Sequence, residues 1–153
     1  MARKIEVSDL EKHIGYWLRF VSNHVSHAFM QKVEAKGVTV AEWAVMREML
    51  EAGPVNPSQL AERLGMTRGA ISKLVERLCG KALVERTASN GDRRYQSVTL
   101  TAKGEKLVPK LAQLADDNDR EFFGHLSMEQ QSDFVQRLKD VVHRHGWKDT
   151  PVS

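Results

Sequence analysis

The sequence predicts a mainly α fold with a small β component (an α+β wing): six helices and one two-stranded hairpin. Three observations carry this expectation. Apolar residues recur at helical spacing through most of the 153 residues, and hydroxyl, Asn, Gly and Pro residues stand where helices start and stop. Between Leu83 and Leu100 the period changes to that of extended chain, in Leu83-Val84-Glu85-Arg86 and Tyr95-Gln96-Ser97-Val98-Thr99-Leu100. Between those runs lies Asn90-Gly91, whose tolerance of positive φ makes it the strongest short-range signal for a tight hairpin turn.

Taken in order, Ser8-Asp9-Leu10-Glu11 has the form of a capping box. Leu10, Ile14, Trp17, Leu18, Val21, Val25, Ala28 and Phe29 follow at helical spacing to a stop near Gly37. The expected helix has about 26 residues, roughly 40 Å. A chain this small cannot cover it, so part of its apolar stripe is expected to pack elsewhere. Thr39-Val40-Ala41-Glu42 is a second capping box, and Trp43, Met46, Met49 and Leu50 give that helix an apolar face until Gly53-Pro54. Asn56 before Pro57 is an N-cap followed by the residue favoured at the first helical position. Leu60, Ala61 and Leu64 mark a short helix stopped by Gly65, after which Thr67 caps a helix carrying Ile71, Leu74, Val75 and Leu78, with Gly80 as its expected stop. Two short helices joined by a Gly-containing turn form a helix-turn-helix pattern, and the hairpin that follows is a wing. Thr101 caps a further helix through Leu107, Leu111, Leu114, Phe122 and Phe123, with a bend expected at Pro109. Ser127-Met128-Glu129-Gln130 opens a last helix with Phe134, Leu138, Val141 and Val142, and the tail from Gly146 is expected to fray.

Composition bounds the function. The chain is the length of one ordinary domain, 41% hydrophobic and 28% charged, as a folded chain should be. No apolar run is long enough to span a membrane and Met1 to His13 lacks the apolar core of a secretory signal, so a cytoplasmic location is expected. A single cysteine, Cys79, excludes an intramolecular disulfide framework. No nucleophile elbow, zinc-protease motif, phosphate loop or dinucleotide fingerprint is present, so neither an enzyme nor a cofactor is expected. The net charge of +3 is unevenly placed: residues 57–100 hold eight Lys or Arg against four acids, and the remainder is slightly acidic. A local basic excess is how a polyanion-binding surface looks in sequence, although charges on helices also mark an ordinary solvated face.

On a helical wheel, Ile71, Leu74, Val75 and Leu78 share one arc, and Arg68, Gly69, Ser72, Lys73, Glu76 and Arg77 fill the other side. Short groups at the middle of that face and long cations at its margins suit a helix pushed into a major groove between phosphate rows. A plain amphipathic surface helix has the same wheel. The basic hairpin, with Asp92, Arg93 and Arg94 at its tip, has no comparable structural reason.

In this order and spacing the elements resemble the MarR family of bacterial transcriptional regulators. The specific part runs from Leu78 to Gly104: a leucine and glycine, Leu83-Val84 before Arg86, an Asp-x-Arg wing tip at Asp92 and Arg94, and Val98, Leu100-Thr101 and Gly104. The resemblance implies one domain over residues 1–153, with dimerisation helices at 8–36 and 102–146 and a winged helix-turn-helix DNA-binding region at 39–100. It implies a homodimer whose partner is double-stranded operator DNA, with Arg94 entering the minor groove and Asp92 orienting it. A narrow minor groove has enhanced negative potential, which attracts a guanidinium without a base-specific partner. The candidate DNA-contacting residues are Thr67, Arg68, Gly69, Ser72, Lys73, Arg77, Arg86, Asp92, Arg93 and Arg94.

The resemblance further implies a repressor released by a small aromatic effector. Trp17, Phe20 and His24 on the first helix and Trp43, Met46 and Arg47 on the second are the candidate lining, and core packing accounts for Trp17, Trp43 and Met46 equally well. Other readings stay open. Cys79 is a redox group or a small buried residue, and His24 with His27, or His143 with His145, lacks the Cys or carboxylate of a recognised metal-ligand spacing. A winged-helix protein-interaction adaptor that binds no DNA is the alternative from another class.

Overall fold

The computed structural model of the chain describes residues 5–87 and 96–147. Six helices and two strands follow in the order α1 (Ile14–Glu34), α2 (Val40–Ala52), α3 (Pro57–Leu64), α4 (Arg68–Gly80), β1 (Val84–Thr87), β2 (Ser97–Leu100), α5 (Ala102–Phe123) and α6 (Met128–Arg144). The fold class is the expected one, helical with a two-stranded antiparallel sheet.

Most helix ends sit where local chemistry puts them. The Thr39 hydroxyl accepts the Glu42 N–H at 3.1 Å, and the Asn56 side chain accepts the Ser58 N–H at 2.7 Å while the Asn56 N–H donates to Gln59 Oε1. Thr67, Thr101 and Ser127 each accept a backbone N–H in the first turn of α4, α5 and α6. Gly53 and Gly65 end α2 and α3 with φ of 67° and 63°, a region open to glycine without a Cβ clash.

Three expectations are corrected. The Ser8–Glu11 box does not open the first helix: Asp9 makes no side-chain cap bond, a single 3-10 turn forms at Leu10–Lys12, and extended His13 separates it from α1. Ile5, Val7 and Leu10 are largely exposed, so no packing offsets the cost of nucleating helix there. The second box is half a box, because Glu42 turns inward: it is 1% exposed, and both carboxylate oxygens accept from Lys81 Nζ at 2.8 and 3.0 Å. α4 does end at Gly80, but Gly80 is not its left-handed stop. Lys81 is the C-cap and the left-handed position falls on Ala82, at φ 59°. α5 continues through Pro109 to Phe123.

The core joins the helix-turn-helix to the hairpin. Val45, Met46 and Met49 of α2, Leu60 of α3, Ile71, Val75 and Leu78 of α4, Val84 and Val98 of the strands, and Val108 and Leu111 of α5 form one buried cluster. The strands pair with Val84 opposite Leu100 and Arg86 opposite Val98. Val55, before α3, adds a bridge to Val98 with bonds of 2.8 and 3.1 Å. α1 lies along α5, where Asn118 is buried, donating to the Val25 carbonyl and accepting from Lys32.

Outside that core the helices remain apolar on their surface. Ile14, Trp17, Leu18, Phe20 and Val21 of α1, and Phe134, Val135, Leu138, Val141 and Val142 of α6, are each 39–84% exposed. The α6 residues fall at helical spacing on one stripe.

The first turn of α5 meets the end of α4 at one corner. The Thr101 N–H donates to the Leu83 carbonyl at 3.0 Å and its hydroxyl to the Ala82 carbonyl at 2.7 Å. Gly104 is buried there, and a Cβ on it would overlap the Leu83 carbonyl oxygen. Gly104→Ala is therefore expected to destabilise the chain by about 1–3 kcal/mol, the cost of overpacking against a backbone atom, in a denaturant melt. Thr67→Ala, which removes only a cap, should cost about 1 kcal/mol in the same measurement.

Candidate nucleic-acid interface

α4 is fixed by its apolar arc. Ile71, Val75 and Leu78 are at most 1% exposed and Leu74 is buried with them, so the helix cannot rotate without uncovering the core. Its start is set by the turn from α3: Gly65 is left-handed, the Met66 N–H donates to the Ala61 carbonyl at 2.9 Å, and Thr67 caps the Ala70 N–H at 3.1 Å. The opposite face is presented to solvent, with Thr67, Arg68, Gly69, Ser72, Lys73, Glu76 and Arg77 all exposed.

This face keeps its cations available. Among the described residues Arg68, Lys73, Arg77 and Arg86 pair with no carboxylate, whereas Arg63 on α3 is held by Glu48 at 3.0 Å. Gly69 has nothing within 4 Å of where a Cβ would stand. Glycine there answers to no packing demand inside the chain, and the helix can approach another surface closely. Arg86 is exposed on β1, opposite Val98, and the hairpin is tightened beside it by the Thr87 and Ser97 hydroxyls, 2.6 Å apart. Asp92, Arg93 and Arg94 lie outside the described residues. The part of the set that the structure describes thus falls on one exposed helix face and the adjoining strand.

The six residues expected around an effector do not share a cavity. Met46 is 0% exposed inside the core, Trp43 packs half-buried against that core, and Arg47 turns outward to Glu51 at 2.9 Å. Trp17 folds against Tyr16 and donates its indole N–H to the Glu11 carbonyl at 2.8 Å. Only Phe20 and His24 come together, with ring centroids 4.9 Å apart. They line a cavity of about 500 Å3 with Val21, Phe122, Phe123, His125, Leu126 and Phe134. Helical spacing placed the α1 and α2 residues correctly on their own helices, but it carries no information on which faces of two helices meet. The aromatic wall contributed by the α5–α6 junction was legible as residues and not as a site.

Cys79 is half-buried against the core, beside Glu76, Val84, Glu85 and Arg86. Among the described residues no three His, Cys, Asp or Glu side chains gather as a metal site. No helix among them is long and apolar enough to cross a membrane. The cations that the sequence reading passed over are those of α5, Lys103, Lys106 and Lys110, whose spacing of three and four residues puts them on one face.

Comparison with known proteins places these elements. The model of the MarR family matches residues 36–94, which include α2, α3, α4 and β1. The transcriptional regulator HosA of Escherichia coli O157:H7 is 30% identical over 117 residues, covering 76% of this chain and 87% of HosA. Among solved structures, a cysteine-to-serine variant of MarR from E. coli complexed with operator DNA superposes with a TM-score of 0.72 at 25% identity, over 88% of this chain and 99% of that one. Bordetella bronchiseptica BpsR, whose DNA binding is regulated by 6-hydroxynicotinic acid, shares the fold, with a TM-score of 0.72 at 21% identity over 89% of this chain and 97% of its own. A capped helix-turn-helix with an exposed cationic second helix, a following hairpin and flanking long helices thus has a place among known proteins: the chain belongs to the MarR family of DNA-binding transcriptional regulators.

Proposed function

We propose that the chain works as a homodimeric repressor that occupies a near-palindromic operator and leaves it when a small aromatic acid binds. The observation that carries the DNA reading is the face of α4, where Arg68, Ser72, Lys73 and Arg77 stand exposed and unpaired among the described residues on a helix whose other side is locked into the core. Gly69 and Ser72 form the low middle of that face; Arg68 and Ser72 face base edges, and Lys73 and Arg77 reach phosphates. Arg86 and the wing-tip residues Asp92, Arg93 and Arg94 extend the contact along the duplex, with Arg94 in the minor groove. The operator complex of E. coli MarR supports this assignment by fold and descent.

The dimer rests on the uncovered stripes of α1 and α6. Monomers seldom leave contiguous apolar faces of this size in water, and stripes at the two ends of a chain cover each other under a two-fold axis. Such a dimer sets its two α4 helices into successive major grooves, about 34–36 Å apart. The effector reading moves to the cavity of Phe20 and His24, where rings from α1, α5 and α6 meet two imidazoles, a lining suited to a planar aromatic acid. Regulation of BpsR by a hydroxylated pyridine acid supports the ligand class. To release DNA the ligand must prefer a dimer geometry that cannot span both half-sites, since equal affinity for both shifts nothing.

Two tests separate these statements. In operator binding measured across salt concentrations, Lys73→Ala or Arg77→Ala should lower the salt slope by about one unit, while Arg68→Ala or Ser72→Ala should relax preference at particular base pairs by ~1–3 kcal/mol. Arg94→Ala should weaken binding to every site with a narrow minor groove. Unchanged affinity and salt slope in the Lys73→Ala, Arg77→Ala double variant would remove α4 from the interface. For assembly, Val135→Asp with Val142→Asp should convert a sedimenting dimer to monomer without altering the core, and a variant that still sediments as a dimer would place the interface elsewhere.

A further inference from the structure

A cavity of about 620 Å3 opens where the link between α1 and α2, the corner after α4 and the first three turns of α5 meet. Five of its nine lining residues are lysines: Lys36, Lys81, Lys103, Lys106 and Lys110. The others, Gly37, Val38, Leu83 and Leu107, give it an apolar floor. No acid lines it. Among the described residues the lining lysine with a carboxylate partner is Lys81, held by buried Glu42.

Two of the ammonium groups are held in place with donors to spare. Lys81 donates twice to Glu42, and Lys103 donates to the Lys81 carbonyl at 3.2 Å. An ammonium carries three N–H groups, so Lys81 retains one and Lys103 two. Lys36, Lys106 and Lys110 pair with no carboxylate among the described residues. Lys103 also lies in the first turn of α5, where the helix dipole already presents positive charge and a cation is unfavourable. Crowding like charges there opposes folding of the empty protein, and a bound polyanion relieves it.

We propose that this cavity binds a small molecule carrying two or more linked phosphate groups, its phosphates bridged by Lys103, Lys106, Lys110 and Lys36 and its remaining body laid on Val38, Leu83 and Leu107. One phosphate is too small to engage cations from three separate elements, whereas linked phosphates reach lysines on α5 and on the α1–α2 link at once. A DNA backbone is the less suited occupant. Lys81 lies thirteen residues beyond Arg68 and nine beyond Ser72, about 20 Å and about 14 Å along the helix axis, and the cavity is at the base of the hairpin. The site is also separate from the aromatic cavity of Phe20 and His24, with which it shares no residue. An occupant touches the α1–α2 link, α5 and the α4–β1 corner together, so it stiffens the joint between the long helices and the helix-turn-helix.

The probe is inorganic pyrophosphate, titrated calorimetrically into the full-length protein at matched ionic strength, with orthophosphate as the comparison. The expected result is saturable binding of one pyrophosphate per chain, tighter than orthophosphate. Binding should weaken about tenfold or more in Lys106→Gln with Lys110→Gln, as for lost charge-assisted hydrogen bonds, and also in Lys36→Gln on the opposite wall. All three side chains are exposed and removing like charges relieves repulsion, so the thermal midpoint without ligand should not fall. The proposal is overturned if the heats follow ionic strength without saturating, or if both variants bind as the parent does. It is equally overturned if the double variant, without pyrophosphate, binds operator DNA more weakly and with a shallower salt slope, because the lysines then belong to the DNA footprint.

Discussion

The backbone around Leu83 is the point through which the two halves of the molecule are joined. The Leu83 N–H donates to the Leu78 carbonyl at the end of α4, its carbonyl accepts the Thr101 N–H at the start of α5, and Gly104 lies directly against it. Ala82, one residue earlier, is left-handed without being glycine, a conformation that costs about 1–2 kcal/mol and persists because the bonds on either side determine it. Two hydrogen bonds to the Ala82 and Leu83 carbonyls and one missing methyl group therefore set the angle between α4, the hairpin and α5. A rotation of α5 has to carry the base of the hairpin and the end of α4 with it.

Glu42 and Lys81 act at the same corner from the other side. A carboxylate buried to 1% exposure requires a partner, and Lys81, still more than a third exposed, reaches in from the end of α4 to supply it. The pair ties the first turn of α2 to the helix that carries Arg68 and Ser72. α4 is thus held by the Thr67 cap at one end and by an ion pair at the other, with its apolar arc in the core between them. That rigidity is what allows short side chains such as Ser72 to matter in the proposed interface, because a surface that reads another molecule must not lose its geometry on approach.

The charges of the chain sort by the same geometry. The exposed face of α4 presents cations that are unpaired among the described residues, with Glu76 among them, and the lysine cavity lies just beyond the C-terminal end of the same helix. α1 and α6 each carry an exposed apolar stripe beside their charged residues. Among the described residues a chain with a net charge of only +3 therefore presents two cationic regions and one apolar one.

The sequence by itself determined whatever depends on neighbours a few residues away. The caps at Thr39, Asn56, Thr67, Thr101 and Ser127, the left-handed Gly65 between α3 and α4, the arc from Ile71 to Leu78, and the pairing of two short strands were all legible, because hydrogen bonds within one turn and a fixed helical period are local quantities. The same local logic failed at Ser8–Glu11, where a capping pattern without an apolar surface to pack on gave one 3-10 turn, and at Gly80, where strain was transferred to Ala82 by the bonds of a distant helix. Only the tertiary structure decided that Glu42 caps nothing and instead meets Lys81, that Met46 is core while Phe20 and His24 join rings from α5 and α6, and that lysines from three segments line one cavity. The physical reason is that such contacts depend on how helix faces are rotated and offset against each other. That is settled by the packing of the whole core, and no residue pattern within a single helix encodes it.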